Sequence, residues 1–242
     1  MLIVRRHGLR CACGVGLRWA AAPRAAPSTT WFDECMRHTP HYLMTDPAEV
    51  KDLIRNNPWA TIVSNTSGGL VASHYPVVLD ESVTDDDIVI LSHFGRPDDV
   101  LHELGQHEIL VIVQGPHDYV SSSWYAPGDI IPTWNHLTAH LYGVPEILSD
   151  EATYAMLDDL TDHFEQHYPH GRSLSEDEPG MRRAAKGTVG LRMRVTRFDA
   201  RAKLSQNKAP EVIANVTEHL GEHNERLAEE MRKHNADKLG RN

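Results

Sequence analysis

From Asn135 to Val144 the chain reads NHLTAHLYGV, and the apolar residues fall on every second position. Successive side chains of a β-strand point to opposite faces, so Leu137, Ala139 and Leu141 belong to one face and His136, Thr138, His140 and Tyr142 to the other. A helix cannot satisfy that period. The segment is therefore a strand with a core face and a polar face that meets water, a ligand or another surface. It also fixes what the two histidines can do. His136 and His140 would be about 13 Å apart along a strand, too far to share one metal ion.

The rest of the chain reads in the same terms. MTDPAEVKDLIRNNP is a capped helix: Thr45 or Asp46 caps it, Pro47 suits the first turn, and Val50, Leu53 and Ile54 form its buried stripe. WATIVSNTSGGLVASHYPVVL is two strands around a turn at Thr66-Ser67-Gly68-Gly69. DIVILSHF is a third strand, RPDDVLHEL a short helix begun by Pro97, and EILVIVQGPH a fourth strand, apolar on both faces and hence central. After the strand at Asn135–Val144 comes a helix with Ala152, Met156, Leu160 and Phe164 on one side, then a loop, HGRSLSEDEPG. TVGLRMRVTRFDAR is a sixth strand, with Leu191, Met193 and Val195 opposing Arg192, Arg194 and Thr196. Thr217 to Lys238 is helical and highly charged, with Val216, Leu220, Leu227 and Met231 too sparse for a core stripe, so a tail or a partner helix is expected there. Six strands joined by hairpin-length links rather than crossover helices predict a mainly β fold, a closed or split antiparallel barrel.

Charge and cysteine placement limit the function. The 242 residues carry 24 Lys+Arg against 34 Asp+Glu, a net charge of −10, which disfavours a broad grip on nucleic acid or an anionic membrane. Residues 1–35 differ: five arginines against Asp33 and Glu34 make that segment +3 and leave −13 for the rest. All three cysteines, Cys11, Cys13 and Cys35, lie there too, so the body needs neither disulfides nor thiolate ligands. The expected division is an extension over 1–35, a barrel domain over 36–208 and a charged helical segment over 209–242. For the extension, a tail outside the folded body, a targeting peptide and a folded role are the three readings. With no run of 18 apolar residues, a soluble, cytoplasmic protein is expected.

Several groups have the chemistry of a site. Arg96 stands at a strand-to-helix junction, where it suits either a phosphate or a surface ion pair. Lys203, Gln206 and Asn207 in AKLSQNK offer one cation and two amides, or a plain polar turn. Ser121, Ser122 and Ser123 near His117 lack the G-x-S-x-G elbow of a hydrolase. His163 and His167 have helical zinc spacing, but no third ligand accompanies them.

The stretches MTDPAEVKDLIRNNPWATIVS, GLVASHYPVVLD, QGPHDYVSSSWY, IPTWNHLTAHLYG and AKLSQNK together resemble the PaiB-type negative transcriptional regulators, FMN-binding split-barrel proteins. The likeness spans about residues 36–208, and Met36-Arg37-His38-Thr39-Pro40-His41-Tyr42 resembles the family's usual beginning. It implies a Greek-key split barrel and a homodimer with FMN where two subunits meet. It makes Arg96 the phosphate candidate, with Ser92 and His93 beside it, and adds His74, Tyr119 and Trp124 as flavin neighbours along with Lys203, Gln206 and Asn207. The chain departs from the family pattern at Ser122, His136 and Asp98, the last an acid where an Asn is usual. Three functions stay open: a flavin-linked regulator that is a poor direct reader of DNA, a flavin-dependent oxidoreductase of the pyridoxamine-phosphate-oxidase-like class, and a structural dimer without cofactor.

Overall fold

A computed structural model describes residues 39–240 of the chain. The expectations for residues 1–35, and the likeness carried by Met36, Arg37 and His38, lie outside the described residues. Nine antiparallel strands form one curled sheet: β1 (Leu43–Met44), β2 (Trp59–Thr66), β3 (Gly69–Leu79), β4 (Val89–Gly95), β5 (Ile109–Val120), β6 (Thr133–Gly143), β7 (Glu146–Ile147), β8 (Thr188–Arg194) and β9 (Arg197–Lys203). Their spatial order is β1-β9-β6-β5-β2-β3-β4-β8-β7. β2, β3 and β4 follow one another as neighbours and β5 returns to lie beside β2, which is the Greek-key arrangement.

The sheet curls because β8 and β9 are consecutive in the chain yet sit near opposite ends of the strand order. Val195 and Thr196 bridge them: the Val195 amide donates to Ile88 and the Thr196 amide to Tyr142, at 2.9 and 2.8 Å. A single sixth strand over 188–201 was expected. The chain instead changes sheet partners at that bridge, and since the period of two holds on both sides, alternation alone gives no sign of it.

Six helices complete the described residues. α1 (Pro47–Asn56) is capped by Asp46, whose side chain accepts from the Ala48 amide at 2.9 Å, and buries Val50, Leu53 and Ile54 against β3, β5 and β6. Its approach to β5 requires Gly115: a Cβ there would lie 2.7 Å from Leu53 Cδ1. The register of β5 shifts at the same place, between Gln114 and His117, and Pro116 falls within the bulge, where its missing N–H costs no ladder bond. α2 (Asp98–Leu101) is one turn, shorter than the span expected from RPDDVLHEL. α3 (Asp150–Glu165) packs on β8 through Met156 and Leu160, with Thr153 and Tyr154 buried where Ala152 and Phe164 were expected. The expected loop after it holds a 3-10 turn (Leu174–Asp177) and the start of α4 (Glu178–Ala185), capped by Asp177.

The charged C-terminal segment is two helices, α5 (Pro210–Gly221) and α6 (Glu225–His234), and its apolar residues are core. Val216, Leu220, Leu227 and Met231 are fully buried and join the same cluster as Ile62, Val111 and Leu141. The sparse stripe suffices because one narrow face closes the barrel while Arg232 and Glu225 pair on the outside at 2.7 Å.

Candidate functional site

The residues singled out in the sequence fall into two groups. The first lies around the end of β4. Ser92 is buried and its Oγ donates to the Pro76 carbonyl at 2.7 Å, so its hydroxyl ties β4 to β3. His93 lies on the other face, half-buried, its ring edge-on to Tyr75 at 5.8 Å. Its Nδ1 is buried without a partner, and burial pushes its pKa below the ordinary histidine range. His74 is exposed on β3. Arg96 is half exposed and donates through Nη1 to Asp99 Oδ2 at 3.1 Å. An ion pair and an available guanidinium edge thus coexist. The helix dipole adds little to an anion here, since α2 is a single turn with Asp98 and Asp99 in it.

Asp98 does not face an incoming phosphate. Its Oδ2 accepts from Ser73 Oγ at 3.0 Å and from the Tyr75 hydroxyl at 2.9 Å, and Tyr75 in turn accepts from the Gly95 amide at 3.1 Å. Behind it lies His102, fully buried, with Nδ1 2.8 Å from Ser64 Oγ and Nε2 3.0 Å from Ser73 Oγ. The order of protons follows from the carboxylate, which can only accept. Ser73 gives its proton to Asp98, so His102 Nε2–H donates to Ser73 and His102 Nδ1 accepts from Ser64. That chain requires a neutral ring, and burial depresses the His102 pKa despite the opposing pull of Asp98. The network sets the backbone of Gly95 and Arg96. The spacing of Ser64, Ser73, Asp98 and His102 in sequence gave no signal for it.

The second group lies across the sheet at the ends of β5, β6 and β9. β9 is five strands from β4 in the sheet order, roughly 24 Å along the sheet at about 4.8 Å per strand. Lys203 Nζ donates to Thr133 Oγ1 and, at 3.0 Å, to the Trp134 carbonyl. Tyr119 meets Trp134 edge-on at 6.0 Å, both substantially exposed. Trp124 stacks on His219 of α5 at 5.1 Å, and its carbonyl accepts from Asn215, so one ring face is covered. Gln206 is spent on its own turn: Oε1 accepts from the Leu204 amide at 2.6 Å and Nε2 donates to the Ala202 carbonyl. Ser205 holds a positive φ of 63° in that turn and bonds Asn135 at 3.0 Å. Asn207 is exposed on the rim of a 230 Å³ cavity that also includes Lys203, Tyr42 and Tyr125.

Between the groups runs the outer face of the sheet, which no helix among the described residues covers. His140 Nδ1 and Arg201 Nε are buried there without partners, and Arg201 is only 7% exposed. Burial lowers the pKa of His140 and also of His136.

Residues 36–197 match a family model described as "Putative FMN-binding domain". The chain belongs to this FMN-binding family. It is 30% identical over 202 residues to the protease synthase and sporulation protein PAI 2 of Bacillus subtilis, covering 82% of this chain and 96% of that one. It is 29% identical over 113 residues to the uncharacterized protein YKL070W of Saccharomyces cerevisiae, covering 44% and 66%. Among solved structures it resembles the FAD and heme binding protein from Mycobacterium smegmatis, with a TM-score of 0.51 at 20% identity over 71% of this chain and 78% of that one. The likeness to PaiB-type proteins and the split-barrel fold are thereby established, and FMN is the cofactor of the family.

The residues fit that cofactor. The orphaned His93 Nδ1 beside the half-exposed Arg96 offers a polar atom and a cation to a phosphate-bearing ligand, while Trp134 and Tyr119 offer exposed rings to a flat one. FMN, when bound, supplies redox chemistry at the site.

Proposed function

We propose that the protein is a homodimer that holds FMN between its subunits, with the phosphate at Arg96 and His93 of one chain and the ring near the β6–β9 end of the other. The observation that carries this reading is the separation of the two groups within one chain. Polar groups buried without partners cost stability, so His93 at the end of β4 and His140 and Arg201 on the outer face of β6 and β9 argue for a surface or ligand that completes them. Lys203 then serves the ring or the subunit contact and Arg96 the phosphate.

The role in the cell proposed for such a flavoprotein is regulation that responds to flavin or metabolic state, in keeping with its likeness to PaiB-type proteins. Direct reading of DNA is not part of the proposal: on α6, Glu225 pairs Arg232, and the segment has no basic stripe. The test is complementation. Arg96→Ala and Lys203→Ala chains are each titrated with FMN and then mixed, with mass followed by light scattering. A composite site restores one intact site per mixed dimer; no recovery on mixing, or a monomeric mass with full FMN binding, overturns it.

A further inference from the structure

A cavity of 370 Å³ is lined by no residue of the flavin reading. It exists because α3 covers β8 but stops short of β3 and β4. Val78 and Leu91, paired across those two strands, form its floor, Ile54 and Pro58 one wall, and Met156 and Leu160 the other. Cavities of this size with aliphatic walls and a few polar groups at the mouth are where small organic ligands bind.

The mouth carries three acids, Asp80, Glu81 and Asp159, against one cation, Arg55. The turn from Asp80 to Asp87 holds five acids and no lysine or arginine, and α3 holds six acids and again no lysine or arginine. Two of the acids at the rim are already matched: Glu81 receives Arg55 through two bonds of 2.9 and 3.0 Å, and Asp80 receives Arg192 at 2.8 Å. Asp159 is not. It lines the cavity on the exposed side of α3 and carries no hydrogen bond or ion pair among the described residues. A low-polarity cleft whose one unmatched rim charge is an acid favours ligands of the opposite sign.

We infer that this cavity is a second binding site, for a protonated amine carried on a hydrocarbon body, with the body against Val78 and Leu91 and the ammonium at Asp159. A carboxylate of the same shape meets the acidic rim and is rejected, and a neutral alcohol gains the apolar contact alone. The site is independent of the flavin reading.

The probe is 2-phenylethylamine, compared by calorimetry with 2-phenylethanol and 3-phenylpropanoate on the full chain, with and without FMN. The amine is expected to bind at least tenfold more tightly than either analogue and without displacing FMN. Asp159→Asn, a surface change that leaves the fold intact, is expected to weaken the amine roughly tenfold and the alcohol hardly at all. Val78→Phe, which fills the floor, is expected to abolish both, and circular dichroism checks that this variant is folded. Carboxylate binding equal to amine binding, or an amine affinity unchanged in Asp159→Asn, overturns the assignment; loss of FMN binding with these properties retained bears only on the flavin site.

Discussion

The network around His102 and the polar groups on the outer sheet face are both removed from water, yet they are built in opposite ways. At His102 each hydrogen has an acceptor: Ser64 to His102, His102 to Ser73, Ser73 and Tyr75 to Asp98. On the outer face, His140 Nδ1 and Arg201 Nε have none. Buried polar groups persist in proteins when they are satisfied, and the exceptions call for an explanation. The first cluster is complete within one chain and reads as structure. The second is incomplete within one chain and reads as half of something.

The sharpest way to break this comparison is to open the closed cluster. His102→Leu leaves the Ser64 and Ser73 hydroxyls without the ring that joins them. Ser73 keeps Asp98 as its acceptor, so the expected loss is about 1–3 kcal/mol for the stranded Ser64 hydroxyl, read as a lower denaturant midpoint at unchanged slope. A shift near zero would mean that the network contributes nothing.

Arg96→Ala tests what that network supports. If Gly95 and Arg96 are set for a phosphate, the lost charge-assisted bonds cost on the order of 1.5–3 kcal/mol, or roughly tenfold or more in FMN affinity. Lys203→Ala is expected to cost less and to weaken FMN and riboflavin alike, whereas riboflavin, which lacks the phosphate, should bind Arg96→Ala as it binds the original chain. Fluorescence quenching of the flavin measures all of these. Equal losses for FMN and riboflavin in Arg96→Ala would remove Arg96 from the phosphate.

A pH titration addresses both clusters at once. Burial depresses the folded pKa values of His93, His102, His136 and His140 below the ordinary value of about 6.5. Below that value the unfolded chain takes up protons that the folded chain refuses, so stability falls as pH falls. The contribution is complete above about pH 7 and is lost progressively from about pH 6.5 down through the folded values. Thermal unfolding between pH 8 and 5 should show the decline, and it should be shallower in His102→Leu. A midpoint that rises on acidification would reverse the sign argued here.

What was legible in the sequence follows the same division. α1 could be read down to its cap, because Asp46, Pro47 and the stripe of Val50, Leu53 and Ile54 are all local signals. The faces of β6 were likewise legible, since Leu137, Ala139 and Leu141 are buried and the alternation that marks them is local. The bridge at Val195 and Thr196 was not, because a strand that changes partners keeps its period. Nor was the burial of Leu227 and Met231, since the barrel end that receives them is assembled from distant segments. In the site, residue types pointed to Arg96 and Lys203. No local pattern could place them roughly 24 Å apart along the sheet, or show that Gln206 spends both ends of its amide on its own turn.

The smallest expected effect is the most discriminating. His140→Leu removes a ring whose Nδ1 has no partner among the described residues. Replacing an unsatisfied buried polar group with an apolar one of similar size forfeits no bond and relieves a desolvation cost. The stability of the dilute chain should therefore stay within about 0.5 kcal/mol of the original or rise slightly. Subunit association should respond differently: if a second chain supplies the missing partner, that partner is stranded in the variant and dissociation strengthens by roughly tenfold, a cost of about 1.4 kcal/mol. Denaturation at low concentration and sedimentation across a concentration series separate the two. A loss above about 1 kcal/mol in the dilute chain would show that His140 is satisfied internally, as His102 is. An unchanged association constant would leave the outer face without the role that its unpaired groups suggest.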